Sequence, residues 1–197
     1  MDPSVTMGLD SSYKKNNYGD IFSSIIRGAK PRQCVELGVL HAYSTIYIAR
    51  GLKQNGFGIL DAYDLFEGYE YNRSNYGDVV SLINDLKIDD IVKVNKGDAF
   101  KAHENYTPGA VEFLHVDLSN TGDILKFIME AWDPKLTRGS VIAFEGGSQE
   151  RDEVDWMVRY NKSSIKHELE NNEIIKEKYV FGTYLAFPSL TVLLKKR

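Results

Sequence analysis

Val35-Glu36-Leu37-Gly38-Val39-Leu40-His41-Ala42-Tyr43-Ser44-Thr45 joins an apolar run to a helical pattern through a single glycine. The run over 33–39 has the unbroken apolar character of a strand covered on both faces of a parallel sheet, and 44–53 follows directly as a helix. In an open α/β sheet, ligands gather at the carboxyl ends of the strands. A glycine there lets the backbone approach a ligand, and the first turn of the next helix offers free N–H groups and a positive dipole end to a carboxylate. Ser44 or Thr45 can add a hydroxyl. A dinucleotide site would need G-x-G-x-x-G, but Leu40 and Tyr43 stand where the second and third glycines belong, which weighs against a Rossmann oxidoreductase. Glu36 suits instead a ligand bearing an ammonium group, and ammonium with carboxylate describes an amino acid.

Around this stretch the chain alternates. Residues 18–29 carry Ile21, Phe22, Ile25 and Ile26 at helical spacing and close at Gly28 and Pro31. Strands are predicted over 56–64, 91–95, 111–117 and 140–145, and helices over 78–86, 122–132, 150–160 and 164–170. Such alternation implies a mostly parallel sheet with helices on both faces. The tail departs from it. Runs 178–187 and 190–195 are separated only by Pro188-Ser189, too short for a parallel crossover, so they form an antiparallel hairpin. The expected fold is α/β, a Rossmann-like three-layer sandwich whose mostly parallel seven-stranded sheet ends in that hairpin. We read residues 1–197 as one domain, with 1–31 as an N-terminal helical or lid segment.

This sheet plan resembles that of class I S-adenosylmethionine-dependent methyltransferases. Glu36-Leu37-Gly38, Ala42-Tyr43-Ser44 and Ala49-Arg50 resemble motif I of the catechol O-methyltransferase relatives, and Asp64-Leu65-Phe66-Glu67-Gly68 resembles the D-x-F-E-G of macrocin-type sugar O-methyltransferases. The resemblance spans 33–147. It implies S-adenosyl-L-methionine as cofactor, with Glu36, Gly38, Leu40, Tyr43 and Ser44 around its methionine end. Asp64, closing the second strand, is the expected ribose anchor, and Gly97, Asp98, Ala99 and Phe100 the expected adenine wall.

Methyl transfer asks for in-line positioning and often a base. In the catechol-type enzymes a divalent metal assists. The matching positions here are Asp117, Glu145 and Gly146, the last without a side chain, and the family's lysine is Asn120. Asp117 and Glu145 could hold Mg²⁺ or Ca²⁺ if waters, Ser119, Asn120 or Ser148 completed the shell; otherwise they rim the pocket. Asp117, Glu145 and His115 are the candidate bases, with Asp117 also counted beside the cofactor. His115 reads equally as a core histidine among apolar neighbours. Tyr69, Tyr71, Arg73 and Tyr76 in 66–76, with Tyr13, Lys14 and Tyr18, would supply a lid or substrate wall for a sugar, an aromatic or a phosphorylated compound. Loop tyrosines also suit a subunit contact, as in a homodimer.

The formal net charge of −4 lacks the basic face a nucleic-acid partner needs, and Lys195-Lys196-Arg197 reads as a solvated end. No run approaches a bilayer span, and the N-terminus lacks a signal-peptide pattern, so a cytoplasmic protein with a small-molecule substrate is expected. Cys34, the single cysteine, reads as a buried, inert thiol. The competing functions are a non-catalytic or repurposed S-adenosylmethionine-binding protein and a metal-dependent hydroxylase on the same scaffold.

Overall fold

A computed structural model describes residues 8–71 and 73–197. The chain divides into two compact units, Met1–Asn105 and Tyr106–Arg197. Part of the 1–31 segment and of the Tyr-rich loop lies outside the described residues.

The first unit holds strands β1 (Gln33–Leu37), β2 (Ile59–Asp64) and β3 (Val92–Lys96), all parallel, with Gln33 opposite Ile59 and Leu60 opposite Val92. Helices α1 (Tyr18–Ala29), α2 (Tyr43–Asn55) and α3 (Tyr76–Asp85) accompany them. β2 starts later than 56 because Gly56 (φ +77°) caps α2 through Leu52 and Gly58 (φ +98°) turns the chain. Cys34 is fully buried in β1.

Helices α1 and α2 pack closely because glycine stands at both crossings. Gly19 lies under the Tyr47 ring, and a Cβ on Gly51 would come within 2.7 Å of the Ile26 side chain and 3.0 Å of the Ser23 carbonyl oxygen. Gly51→Ala is therefore expected to lower stability by about 1–3 kcal/mol through overpacking. Gly28→Ala, with nothing within 4 Å of its Cβ, should raise it by up to about 1 kcal/mol through helix propensity. Thermal unfolding of the pair checks the opposite signs. Tyr13 and Tyr18 are 1% and 2% exposed, and the Tyr13 ring packs with those of Tyr18 and Phe22, so they are core residues rather than part of a lid.

The second unit holds β4 (Val111–Val116) and β5 (Leu136–Glu145), which are parallel, then β6 (Tyr179–Tyr184) and β7 (Leu190–Lys195) as an antiparallel hairpin whose β7 pairs antiparallel with β5. The strand order of the seven-stranded sheet is β3-β2-β1-β4-β5-β7-β6, the mostly parallel arrangement with a terminal hairpin that the sequence predicts. The hairpin's connection is 185–189 rather than the dipeptide alone, since Tyr184 pairs with Leu190 and the Ser189 N–H donates to Ala186 at 2.7 Å.

Helix α4 (Gly122–Trp132) forms as predicted, its N-terminus capped by Thr121. The expected helix over 150–160 is broken into α5 (Gln149–Asp152) and α6 (Asp155–Arg159). The Asp152 carboxylate turns away to accept from the N–H groups of Ile165 and Lys166 and from the Ser164 hydroxyl, which starts α7 (Ile165–Asn171). A further helix, α8 (Glu173–Lys178), is capped by Asn172.

The C-terminal basic cluster is not merely a solvated end. The Lys195 side chain is 14% exposed and sits 2.9 Å from buried Asp133, while Lys196 donates to the carbonyls of Lys176 and Glu177. No helix of the described residues is long and apolar enough to cross a membrane.

Candidate functional site

In the first unit, β1 ends at Leu37 and the chain then alternates handedness: Gly38, Leu40 and Ala42 have φ of +91°, +48° and +65°. Leu and Ala have no local hydrogen bond to favour the left-handed region, so such values need support from the surroundings. Asp64 at the end of β2 supplies it. Its Oδ2 accepts from the N–H groups of Val39 (2.7 Å) and Leu40 (3.0 Å), and its Oδ1 from that of Phe66 (2.7 Å). Asp64 thus has a structural task that the sequence did not suggest.

Ala42 places no side-chain cap on α2, so the first turn keeps its positive end for an incoming group. The preceding N–H groups are already taken, those of Val39 and Leu40 by Asp64, that of Gly38 by the Tyr63 carbonyl and that of Ala42 by the Val39 carbonyl. Glu36 is fully buried and accepts from the Thr45 hydroxyl at 2.5 Å, so Thr45 serves Glu36 and Ser44 is left in the first turn. Burial, with Tyr47 alongside, pushes the Tyr43 hydroxyl up to about 12.

After β3, Gly97 donates to the Asp64 carbonyl at 2.9 Å, and Asp98 caps the Phe100 N–H at 2.9 Å. Ala99 is buried while Phe100 is 43% exposed, which leaves an apolar ring at the surface of this turn. Glu67 of the D-x-F-E-G stretch pairs with Lys96, and that bond and one from the Tyr76 N–H pull its carboxyl down to about 2. Tyr69, Tyr71 and Arg73 are exposed; Tyr76 is half-buried with its ring against Phe66.

In the second unit, Asp117 follows β4 and is half-buried, while His115 lies fully buried inside the strand. Glu145 closes β5 at 5% exposure, and both its oxygens are taken by Arg151: Nε to Oε1 at 2.6 Å and Nη2 to Oε2 at 3.0 Å. Burial, and then the charge of Asp117, push the Glu145 carboxyl up to about 7 against the pull of Arg151. Ser148 caps the Arg151 N–H at 3.1 Å.

Asn120, fully buried, donates to the carbonyls of Val116 (3.0 Å) and Glu145 (2.9 Å) and accepts from the Leu118 N–H (3.1 Å). It clamps the ends of β4 and β5 together, a role its sequence position alone gave no sign of. Gly146 has φ +113°, and a Cβ there would lie 2.5 Å from Ile165 Cδ1. The left-handed backbone there thus disfavours a side chain at the position expected from the resemblance to supply a third metal ligand.

Glu145, expected with Asp117 as a holder of Mg²⁺ or Ca²⁺, meets a cation of the protein itself. A guanidinium occupies both Glu145 oxygens, Gly146 has nothing to offer, and the Asn120 amide is bonded to the backbone. No group of three or more His, Cys, Asp or Glu among the described residues could hold a metal ion.

No curated protein sequence matches the chain. Solved structures do, over its whole length. An O-methyltransferase from Bacillus cereus, in complex with SAH, is 18% identical with a TM-score of 0.69, covering 100% of this chain and 92% of that one. The O-methyltransferase TomG from Streptomyces achromogenes, involved in tomaymycin synthesis and in complex with SAM, is 14% identical with a TM-score of 0.71, covering 100% and 92%. A methyltransferase from Geobacter sulfurreducens is 14% identical with a TM-score of 0.68, covering 100% and 90%. These likenesses establish the fold. The profile of the family described as "Methyltransferase domain" matches residues 35–145, more than half of the chain, from the strand before Gly38 to Glu145 at the end of β5. The chain therefore belongs to that family of methyltransferase domains.

Proposed function

We propose that this protein is an S-adenosylmethionine-dependent O-methyltransferase acting on a small polar molecule, built as one methyltransferase domain. The observation that carries the reading is the run of left-handed residues Gly38, Leu40 and Ala42 leading into the uncapped first turn of α2. That geometry suits the carboxylate of an amino-acid cofactor, and Glu36 at the end of β1 suits its ammonium group. S-adenosylmethionine supplies a methyl group on a sulfonium.

The chain's own residues bind and orient. The backbone at Gly38 and Leu40, with Tyr43 and Ser44 in the first turn, receives the methionine end. Asp64, at the end of β2, fixes the loop and anchors the ribose. Gly97 lets the backbone approach the adenine, Asp98 accepts from the exocyclic amine, and Ala99 and Phe100 wall the ring. Asp117 is the base for the acceptor, because Arg151 holds both oxygens of Glu145. Fully buried His115 supports the strand. The exposed aromatics Tyr69 and Tyr71 suit a sugar or aromatic acceptor.

Thermal unfolding with S-adenosylhomocysteine (SAH), against NAD⁺ as control, tests the reading. Ligand at about 100 times its Kd stabilises by about 2.7 kcal/mol, roughly 5–10 °C for a chain of this size. A shift with SAH alone is expected; no shift, or one with NAD⁺ instead, overturns the assignment.

A further inference from the structure

The carboxyl end of β5 carries a cation that its protein neighbours do not fully use. Arg151 is 6% exposed. Its Nε and Nη2 hold Glu145 at 2.6 and 3.0 Å, Nη2 also lies 3.4 Å from the Asn120 carbonyl oxygen, and its Cζ is 5.2 Å from the centre of the Trp156 ring. The remaining nitrogen, Nη1, is buried and has no hydrogen-bond partner among the described residues. A buried donor left without an acceptor is costly, and more so when it is charged. Such an atom marks a place where something else is meant to accept.

We propose that Arg151 takes the place of the divalent metal: its guanidinium is the cation held by Glu145, and its Nη1–H donates to the oxygen of the methyl acceptor. The second half rests on the methyl-transfer reading above. The planar fork matches a carboxylate on two edges at once, and a metal would have to displace it. The positions around it agree, since Gly146 cannot carry a ligand and Asn120 holds the backbone.

The charges also define the acceptor. Glu145 and Arg151 balance each other, which leaves the Asp117 carboxylate beside them, so an acidic or phosphorylated acceptor would meet its repulsion. An uncharged hydroxyl compound fits, its oxygen accepting from Nη1 and its proton available to Asp117. Of the substrate classes compatible with the sequence, this favours an alcohol or phenol over an acid or phosphate ester.

The test compares wild type, R151M and R151K after EDTA treatment, with two probes. Electron paramagnetic resonance titration with Mn²⁺ should show no site in wild type or R151K. In R151M, where the carboxylates lose their cation, binding should be at least about ten-fold tighter. Tight Mn²⁺ binding by wild type, or none by R151M, overturns the replacement.

In the second arm, phenol should raise the melting temperature of the wild-type protein with SAH present and metal absent, while benzoate should not. R151M and R151K should lose the response. R151K keeps the charge but lacks the free edge, so it also covers the case in which R151M does not fold. A phenol response that is absent in wild type or unchanged in R151K overturns the donor role. The SAH shift of the same wild-type sample keeps the two readings apart. If it fails, the cofactor assignment falls while the Mn²⁺ titration still decides the role of Arg151; if it holds and the Arg151 arms fail, only this inference falls.

Discussion

Asp64→Ala is expected to lower the melting temperature by roughly 5–10 °C and to weaken SAH binding at least about ten-fold. The reason is the concentration of bonds on one carboxylate. Its two oxygens accept from the N–H groups of Val39, Leu40 and Phe66 at 2.7–3.0 Å, and at 8% exposure water does not readily replace them. Leu40 and Phe66 both have positive φ, a conformation of order 1–3 kcal/mol less favourable for such residues that persists only while the surroundings enforce it. Without the carboxylate the loop relaxes, and the backbone leading into the first turn of α2 loses its fixed course. Asp64→Asn separates the two roles, because the amide can still accept on one side. It should recover part of the stability but little of the SAH affinity. If both variants unfolded with wild type while losing SAH, Asp64 would be a ligand contact alone and not the anchor of the loop.

The strand pattern, the terminal hairpin and the helices at 18–29 and 122–132 were legible because they follow from apolar periodicity, glycine and proline placement, and connection length. Those are local signals, and tertiary structure here does not overrule them. The misreadings arise where one side chain reaches across sequence. The helix expected over 150–160 breaks because Asp152 caps α7, a partner more than ten residues away. Tyr13 and Tyr18 looked like lid residues by type, yet both are buried, with the Tyr13 ring against those of Tyr18 and Phe22.

At the site, the positions of Gly38 and Asp64 could be read from the sequence, but the left-handed Leu40 and Ala42 could not. Neither residue type favours that conformation, so no composition signal exists. Asp117 and Glu145 were recognisable as carboxylates ending strands. Their partner was not, because Arg151 followed a capping serine and could equally have faced water; only the geometry shows both oxygens of Glu145 already held. The single sequence sign was negative: Gly146 and Asn120 standing where a metal site would need a ligand and a lysine.

Asp133→Ala should be the most damaging substitution at a position outside the site, costing about 3–5 kcal/mol, or roughly 10 °C in melting temperature. Asp133 is 4% exposed and accepts from Lys178 (2.7 Å) and from the Tyr179 hydroxyl (2.9 Å), with Lys195 at 2.9 Å. It thereby fastens the end of α8, the start of β6 and the end of β7 to the turn before β5. The losses are unequal. Lys178 is 43% exposed and can turn to water, so its share is small. Lys195 keeps the carbonyls of Asp133 and Leu136, but its charge, 14% exposed, loses its counter-ion, and the buried Tyr179 hydroxyl loses its acceptor. Asp133→Asn, which can still accept from Tyr179, should fall between wild type and Ala. The pH dependence has a definite sign. Burial works against the Asp133 carboxylate, but the bonds from Lys178, Lys195 and Tyr179 outweigh it and hold its pKa below the ordinary 3.8. For a carboxyl lowered on folding, the stabilisation is present above the unfolded value and disappears as pH falls through the folded one. The melting-temperature gap between wild type and Asp133→Ala should therefore be level from neutral pH down to about pH 5 and close only below about pH 4. A gap that stayed constant into that acidic range would mean that the side chain matters for its shape and not for its charge.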